Sequence, residues 1–347
     1  MRDSDDTPGV VVLYNHSEDL IKGDPRDILA DQGVIACAHA VAQALMESGA
    51  RVALAPIRAD VETALKPYPA TDWIVFNLGE GLGGRLFEEV RIAWAIETMG
   101  YRFTGADAAA LALSTHKARA KEALARAGVA TPAWRLFRHP DEVTPECLAD
   151  FPLPLIVKPV AEDASQGIPG GAVVRTLDEL RARVAYLVQS YRQAALTEEF
   201  IEGREFNISV WGNPPTTLPI AEIDFSAFHD PLDRIVSFAA KWEEESFEYS
   251  HTPVVCPAQV TQHLAKAIRQ TAMKAWKAIG GQGYGRVDMR VSRDNIPYVI
   301  EINCNPDISP DAGFFRAART AGYTYRDMAV KILQMALGQK RTYDSNR

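Results

Sequence analysis

Strand and helix patterns alternate along the first third of the chain. Short apolar runs typical of buried strands occupy residues 10–15, 51–57 and 73–78, and residues 33–49 have the pattern of a helix that ends at Gly49. Strands that are separated by helices form parallel sheets, because each helix carries the chain back to the edge where the previous strand began. This order predicts an α/β fold whose first part, up to about residue 112, is a parallel sheet covered by helices.

Composition and charge argue against several classes of protein. The 347 residues carry a net charge of −8 and contain no run rich in Lys and Arg, so a nucleic-acid partner is not expected. No stretch approaches the roughly 20 apolar residues that a membrane-spanning helix needs, and the acidic start "MRDSDDTPG" lacks the apolar core of a signal peptide. We therefore expect a cytoplasmic protein without a membrane partner. The four cysteines have no metal-binding spacing, which favours free thiols.

Two further blocks follow the first. The second begins near residue 113 with a helix for which Ser114 or Thr115 is the candidate N-cap. It continues through an apolar strand that ends near Lys158, a glycine-containing loop at 161–171 and an amphipathic helix at 177–190. Two more strand patterns lead into a third block, which extends from about residue 206 to the end of the chain.

The third block contains a predicted β-hairpin formed by the segments "GRVDMRV" and "YVIEIN". A two-residue turn at 294–295 would place Asp288 opposite Glu301 and Arg286 opposite Asn303. Since alternate residues of a strand point the same way, all four side chains would share one face of the hairpin.

Two acidic side chains on that face need a positive partner. Two carboxylates about 4 Å apart repel each other by roughly 4 kcal/mol at the effective dielectric of a protein surface. Asp288, Glu301 and the amide of Asn303 form an all-oxygen set that suits Mg²⁺, which usually binds one or two carboxylates together with phosphates. The alternative is that the two carboxylates pair only with Arg286 and Arg290.

Two lysines are candidates for binding phosphate. Lys158 lies on the strand face opposite Leu155 and Val157, and the glycine-containing loop that follows it can turn backbone N–H groups toward an anion. The alternative for Lys158 is an ordinary surface lysine that covers apolar neighbours with its stem. Lys117, taken alone, is equally well explained as one more cation on a basic helix.

Four segments, in this order along the chain, together resemble the ATP-grasp superfamily and specifically its D-alanine:D-alanine ligase branch. They are "STHKARAKEALARAGVATP", "FPLPLIVKPVAEDASQGI", "LTEEFIEGREFNISVWGN" and "GYGRVDMRVSRDNIPYVIEINCNP". The resemblance covers about residues 72–335. It implies an ATP-grasp fold with a Rossmann-like N-terminal domain (1–112), a small central lid domain (113–205) and a C-terminal mixed-sheet catalytic domain (206–347), with ATP bound between the last two.

The resemblance also implies a nucleotide site at the matching positions. Lys117 and Lys158 would contact the phosphates, and Glu205 would bind the ribose hydroxyls. The remaining nucleotide-binding candidates are Ser165 in the glycine-containing loop, Lys241 in a second mobile loop, and the adenine-binding segment Glu198, Glu199, Phe200 and Ile201.

For catalysis, the resemblance assigns Arg286 to the transferring phosphoryl group and the tetrahedral intermediate, and Lys241 to closure over the γ-phosphate. Asp288, Glu301 and Asn303 would hold two Mg²⁺ ions, with Mn²⁺ as a substitute. The implied reaction is phosphoryl transfer from ATP to a substrate carboxylate, followed by attack of an amine on the acyl phosphate. Its products are an amide, ADP and phosphate.

Several substrate positions depart from the D-alanine pattern. Where the family has serine, tyrosine, glycine and serine, this chain has Ala164, Trp242, Asp307 and Ala312. Glu18 is the candidate for holding the first amino group. Asp307 would repel the carboxylate of a second amino acid unless a cation such as Arg316 intervenes. The candidate substrate residues are therefore Glu18, Trp242, Asp307 and Arg316.

Three hypotheses remain open. The first is a carboxylate–amine ligase that joins amino-acid-like or peptide-like substrates other than two D-alanines. The second is an authentic D-alanine:D-alanine ligase with altered site residues. The third is a nucleotide-binding regulatory or phosphotransfer protein that makes no amide. The resemblance favours a homodimer.

Overall fold

The computed structural model describes residues 7–16, 22–81 and 85–338. The first part of the chain forms the predicted parallel sheet, with strands in the order β2–β1–β3 in the numbering that follows. Its elements are β1 (Gly9–Asn15), α1 (Ile28–Glu47), β2 (Val52–Ile57), α2 (Val61–Leu65), β3 (Trp73–Leu78), α3 (Glu88–Thr98) and α4 (Ala108–Thr115).

Strand β1 is buried along its whole length because both faces of the sheet are covered. Val10 and Val12 pack in one apolar cluster with residues of α1, and Val11 and Leu13 pack in another with residues of α3. The carboxyl ends of β1 and β3 lie side by side, and the side chain of Asn15 accepts a hydrogen bond from the backbone of Glu80 at 3.1 Å. Ligands of open parallel sheets bind beyond this edge, and here it faces the candidate site.

The second part of the chain forms a four-stranded antiparallel sheet in the order β4–β7–β5–β6. Its elements are α5 (Lys117–Arg126), β4 (Trp134–Phe137), β5 (Leu155–Pro159), β6 (Val173–Val174), α6 (Leu177–Tyr191) and β7 (Ala195–Glu199). Helix α6 is the predicted amphipathic helix, and it buries Leu180, Val184 and Leu187 against β5.

The start of α5 corrects a detail of the sequence analysis. Neither Ser114 nor Thr115 is the N-cap, because Asp107 caps α4 and both residues lie in the last turn of that helix. The N-cap of α5 is His116, whose Nδ1 accepts the backbone N–H of Arg119 at 3.3 Å.

The third part of the chain contains β8 (Gly203–Trp211), β9 (Thr216–Thr217), β10 (Ala221–Ile223), α7 (Phe238–Trp242), α8 (Phe247–Ser250), β11 (Val254–Val255), α9 (Gln262–Ala278), β12 (Tyr284–Ser292), β13 (Pro297–Asn303), α10 (Gly313–Thr320) and α11 (Tyr325–Gly338). The strands follow the order β11–β10–β8–β12–β13, with β9 beside β8. We expected a mixed sheet here, and that prediction is wrong: all the strand pairings described for this sheet are antiparallel.

The predicted hairpin pairs are confirmed, although the predicted turn is wrong. Asp288 pairs with Glu301 and Arg286 with Asn303 in the β12–β13 ladder. The turn has three residues, 293–295, in which Asn295 adopts φ 61°, and the ladder shifts by one position between Asp288 and Met289. The longer turn and the bulge offset each other, so the pairs beyond the bulge keep the expected register.

Apolar packing divides the chain unequally. The second sheet has a cluster of its own, which includes Phe137, Leu155 and Val184. A larger cluster joins the first and third sheets, with Val11 and Trp276 among its members. Because the second sheet has its own apolar cluster, it could move as a unit, as the predicted lid domain requires. The domain boundaries at residues 112 and 205 remain predictions. None of the helices in the described ranges is long and apolar enough to cross a membrane.

Candidate active site

Every predicted site residue within the described ranges lines one cavity of about 470 Å³ between the second and third sheets. These residues are Lys117, Lys158, Ser165, Glu198, Glu199, Phe200, Ile201, Glu205, Lys241, Trp242, Arg286, Asp288, Glu301, Asn303, Asp307 and Arg316. The remaining candidate, Glu18, lies outside the described residues. The fold thus brings together positions that are up to 199 residues apart in the sequence, from Lys117 to Arg316.

The two carboxylates of the hairpin are each paired with a cationic side chain. Asp288 accepts hydrogen bonds from Arg286 Nε at 2.7 Å and Nη2 at 2.8 Å, and a third from Asn207 at 2.8 Å. Glu301 Oε1 lies 2.7 Å from Lys117 Nζ. Burial alone would raise the pKa of Glu301, but Lys117 and Lys158 lower it to about 2. Glu301 is therefore ionised at neutral pH.

These contacts bear on the predicted metal site. Among the described residues, no group of three or more His, Cys, Asp or Glu side chains is spaced to hold a metal ion. Asp288, Glu301 and Asn303 nevertheless present oxygen atoms at paired positions of neighbouring strands, a set that fits a hard divalent cation. Such an ion would compete with Arg286 and Lys117 for the same carboxylates. The alternative of pairing with Arg290 is wrong, since Arg290 pairs with Glu205.

The predicted phosphate lysine Lys158 belongs to a buried charged row that the sequence analysis missed. Its Nζ lies 2.9 Å from Glu198 Oε2, and Lys121 Nζ lies 3.0 Å from Glu198 Oε1. Burial alone would raise the pKa of Glu198, but the two lysines lower it. The available signal was spacing, because Lys121 follows Lys117 by four residues and so shares its face of α5.

The residues predicted to bind the nucleoside form another part of the cavity wall. Arg290 donates to Glu205 Oε2 at 3.1 Å, and its guanidinium lies 4.7 Å from the centre of the Phe200 ring. Burial raises the pKa of Glu205 to about 7, although Arg290 opposes the shift. The N–H groups of Glu199 and Phe200 donate to other backbone carbonyls, whereas the Ile201 N–H has no partner among the described residues. Within the predicted adenine-binding segment, the backbone N–H of Ile201 is thus available to donate a hydrogen bond to a ligand.

The glycine-containing loop at 161–171 and the segment that carries Lys241 contact each other through two hydrogen bonds. Trp242 Nε1 donates to the carbonyl of Ala164 at 2.9 Å, and Ser165 Oγ donates to the carbonyl of Val236, also at 2.9 Å. Ala164 and Ser165 both adopt left-handed backbone conformations, with φ 54° and 60°. The bond between Trp242 and Ala164 therefore joins the two positions at which the sequence departs from the D-alanine pattern.

A second cavity of about 320 Å³ adjoins the first. Lys241, Arg286, Asn303 and Asp307 line both cavities. Acidic residues outnumber basic ones in its wall, which contains Glu80, Glu88, Glu89, Glu162, Asp163, Asp307 and Asp311 against Arg85, Lys241 and Arg286. Apart from Lys241, Arg286 and Asp307, these charged residues were not predicted from the sequence, because they come from helix α3 and three separate loops.

The predicted compensation of Asp307 by Arg316 is not seen in the described ion pairs. Asp307 Oδ1 accepts hydrogen bonds from the backbone N–H of Ser309 at 2.8 Å and from its hydroxyl at 2.5 Å. Arg316 lines the same cavity, but its Nη2 donates to the carbonyl of Asp311 at 3.0 Å. The Asp307 carboxylate therefore faces the cavity without an ion-pair partner in the described part of the chain.

Residues 22–27, here called the strap, lie between β1 and α1 and contact the second part of the chain. Lys22 forms an ion pair with Glu162, and both side chains are at least 90% buried. The Tyr191 hydroxyl donates to Asp27 Oδ2 at 3.0 Å, and the residues at both ends of this bond are buried as well. These contacts hold the glycine-containing loop and helix α6 against the first sheet.

Comparisons with known proteins give consistent matches. The family model described as "D-ala D-ala ligase C-terminus" matches residues 124–334. An uncharacterized protein, y4sG of Sinorhizobium fredii, is 31% identical over 306 residues, which are 86% of this chain and 87% of that protein. A D-alanine–D-alanine ligase of Desulforudis audaxviator is 30% identical over 261 residues, covering 74% of this chain and 79% of the relative.

Solved structures show the same fold. The D-alanine–D-alanine ligase of Bacillus anthracis in complex with ATP superposes with a TM-score of 0.72 at 19% identity, covering 94% of this chain and 97% of that one. The VanG D-Ala:D-Ser ligase of Enterococcus faecalis superposes with a TM-score of 0.68 at 19% identity, covering 95% and 100%. The predicted ATP-grasp fold is thereby confirmed.

Proposed function

The chain belongs to the D-alanine–D-alanine ligase family and is an ATP-dependent ligase that forms C–N bonds, and on that premise we propose that it joins two amino-acid-like substrates other than two D-alanines. The observation that carries this proposal is the junction of the two cavities at Lys241, Arg286 and Asn303. The first cavity contains Lys117, Lys158 and the predicted nucleoside-binding residues, and the second, with a volume of about 320 Å³, would hold a small substrate. A phosphoryl group leaving the first would enter the second at these residues.

The proposed reaction has two steps. A carboxylate oxygen of the first substrate attacks the γ-phosphorus of ATP, the bond to the β-phosphate oxygen breaks, and ADP leaves. The amine of the second substrate then attacks the acyl carbon, the carbon–oxygen bond to phosphate breaks, and the nitrogen loses a proton. Positioning and charge neutralisation supply most of the rate in reactions of this class.

The chain's own cations are placed to neutralise the charge that develops. Burial alone would lower the pKa of Arg286, but Asp288 raises it above its ordinary value, so the guanidinium stays charged at the junction. Lys117 is held in the same way, since Glu301 and Asp163 outweigh the effect of its burial and raise its pKa. Burial and Arg286 lower the pKa of Lys241. These side chains would hold the phosphates and the transferring group in line.

The family implies ATP and a divalent metal, and the oxygen donors present fit such an ion. Asp288, Glu301 and Asn303 would hold it. Two Mg²⁺ ions are our proposal, with Mn²⁺ as the substitute. Bound there, the metal would neutralise phosphate charge.

The walls of the second cavity support a change of substrate. Its acidic excess favours a substrate that carries an amino group, while Asp307 disfavours a carboxylate nearby. The relative named VanG D-Ala:D-Ser ligase acts, by its name, on a different second substrate from the D-alanine ligases. Variation of the acceptor therefore has precedent among proteins with this fold.

Trapping the acyl phosphate tests the proposed reaction. Incubation with MgATP, hydroxylamine and single amino acids or short peptides should give a hydroxamate and ADP for the correct carboxylate substrate. The Arg286→Met variant is the control and should give neither product. Formation of AMP instead of ADP would reject the acyl-phosphate route.

A second candidate, authentic D-alanine:D-alanine ligation, follows from the named relatives. ADP release with D-alanine as the sole amino acid, at a rate matching the best pair in a substrate screen, would establish it in place of our proposal. A nucleotide-binding protein that makes no amide would bind ATP yet release no ADP with any pair of substrates.

The homodimer and the cytoplasmic location remain proposals. Light scattering of the purified chain tests whether it is a homodimer.

A further inference from the structure

Three buried charged side chains form a row at the wall of the nucleotide cavity. Glu198 is central, with Lys158 at 2.9 Å from one carboxylate oxygen and Lys121 at 3.0 Å from the other. The exposed fractions of the Lys121 and Glu198 side chains are 2% and 1%, and that of Lys158 is 7%. With all three groups ionised, the row carries one net positive charge.

Lys121 differs from its neighbours in its access to the cavity. Lys158 and Glu198 line the cavity, whereas Lys121 does not. The Lys121 ammonium instead donates to the Thr131 hydroxyl at 2.7 Å, and that hydroxyl donates to the carbonyl of Val299 on β13 at 2.8 Å. The lysine is thus fixed between α5 and the strand that carries Glu301, and any effect on a ligand must pass through Glu198 and Lys158.

The charge of the row depends on Lys121. Without it, Glu198 would cancel the charge of Lys158, and the pair would present no net charge to an anion. With it, Glu198 is shared between two ammonium groups, and one positive charge is left for the cavity. A charge a few ångströms from a polyanion in a partly buried site changes affinity by about tenfold or more.

We propose that Lys121 is a positioning residue for the nucleotide: it shares Glu198 with Lys158 and so leaves one net positive charge beside the cavity, at Lys158, to bind the polyphosphate. This inference rests on the nucleotide-binding part of the proposed function and goes beyond it, because Lys121 touches neither the cavity nor a reacting atom. It identifies a polyphosphate as the ligand chemistry that the row serves.

Nucleotide binding measured by calorimetry tests the inference without knowledge of the amino acid substrates. The probes are MgADP and the slowly hydrolysed analogue MgATPγS, titrated into the full chain. The Lys121→Gln variant, which keeps hydrogen-bonding groups but loses the charge, should bind about tenfold more weakly or worse. The surface variant Lys277→Gln is the matched control and should bind like the wild type.

A double variant separates charge from packing. Lys121→Gln combined with Glu198→Gln restores one net positive charge to the row, and it should bind MgADP at least about threefold more tightly than Lys121→Gln alone. Binding by Lys121→Gln that equals the wild type would overturn the inference, as would a double variant at least as weak as the single one. If Lys121→Gln does not fold, the pH dependence of wild-type binding decides in its place, and an affinity that stays constant through pH 8 would overturn the inference.

The dependence of binding on pH gives a readout that a purely structural lysine would not affect. Burial lowers the pKa of Lys121 to about 8, with Glu198 and Glu301 opposing the shift and Lys158 adding to it. Wild-type affinity for MgADP should therefore fall as the pH rises through 8, and the double variant should show a flatter profile. A wild-type chain that binds no nucleotide at any pH would count against the proposed function, whereas normal binding by Lys121→Gln would count against this inference alone.

Discussion

The ammonium of Lys117 lies 2.7 Å from the carboxylate of Glu301, which joins the first turn of α5 to the last residues of β13. One partner is the candidate for binding phosphate and the other is the candidate for binding metal. A nucleotide and its metal ion would therefore enter by exchanging this ion pair for two new ones. The exchange conserves charge, so the buried Lys117 and the half-buried Glu301 would each keep a partner of opposite charge.

Glu301→Gln should abolish most turnover while leaving the fold intact. The amide keeps the shape of the side chain but cannot balance Lys117 or a divalent cation, so we expect the rate of ADP formation to fall about 100-fold. Steady-state ADP release with the best substrate pair measures it. Glu222→Gln, which removes a carboxylate paired with Arg204 at the surface, is the matched control. Retention of half the wild-type rate would refute the role of Glu301.

Asp307→Asn should widen the choice of amine substrate. The asparagine oxygen can still accept the two hydrogen bonds from Ser309, so the loop should keep its shape. Loss of the negative charge should lower the KM for an amine substrate that carries a carboxylate by about tenfold, with little change in kcat. Kinetics with D-alanine as the amine measure this, and the exposed, distant Asp141→Asn serves as the control. An unchanged KM would show that Asp307 does not face the amine substrate.

The site was predicted where polar residues recur at every second position of a strand. Glu301 and Asn303 are two residues apart on β13 and so share one face, and their partners Asp288 and Arg286 have the same spacing on β12. A hairpin brings such residues together whatever surrounds it. Their mutual placement could be predicted even though the turn was misread, because the bulge after Asp288 compensated for the extra turn residue.

The contacts that were missed depend on tertiary packing. Lys121 reads as an ordinary lysine of a basic helix until β7 places Glu198 beside it. The strap contact between Asp27 and Tyr191 joins positions 164 residues apart, and no local pattern marks it. The acidic wall of the second cavity comes from several loops, whose meeting point depends on the arrangement of all three sheets. Such features follow from topology, which local patterns do not specify.

Glu89→Gln should stabilise the ligand-free protein at alkaline pH. Burial and the nearby Asp163 raise the pKa of Glu89 to about 8 in the folded chain, whereas its ordinary value of 4.5 applies to the unfolded chain. The stabilising contribution of the neutral carboxyl is fully present below pH 4.5 and is lost as the pH rises to 8, since only the unfolded chain ionises freely in that range. The glutamine variant avoids this loss.

We therefore expect Glu89→Gln to match the wild type at pH 5 and to exceed its unfolding free energy by about 1–3 kcal/mol at pH 8. Urea unfolding at the two pH values measures the difference. Glu62→Gln, at an exposed position of α2, should show no such pH dependence. Equal stability of Glu89→Gln and wild type at pH 8 would contradict the prediction.

Tyr191→Phe should weaken the strap. The change removes the hydroxyl that donates to Asp27 and leaves that buried carboxyl with the backbone N–H of Asp24 as its remaining described donor. A buried acceptor that loses a partner costs about 1–3 kcal/mol, which should appear as a lower urea midpoint. Tyr298→Phe is the control, because the Tyr298 hydroxyl has no hydrogen-bond partner among the described residues. Equal losses in the two variants would mean that the bond to Asp27 contributes nothing specific.

Gly167→Ala should distort the lid loop that follows Lys158. Gly167 has φ +71°, and an added Cβ would lie 2.5 Å from Pro159 Cγ and 3.1 Å from Tyr191 Cζ. Both the backbone conformation and the contact with a rigid proline ring are unfavourable, so we expect a loss of about 1–3 kcal/mol in unfolding free energy. Because Pro159 adjoins Lys158, affinity for MgADP should fall as well. Gly171→Ala tests the specificity of this effect, since a Cβ there meets no atom within 4 Å and the loop is the same. If the two alanine variants melt and bind alike, the left-handed turn at Gly167 is not what shapes the loop over the nucleotide.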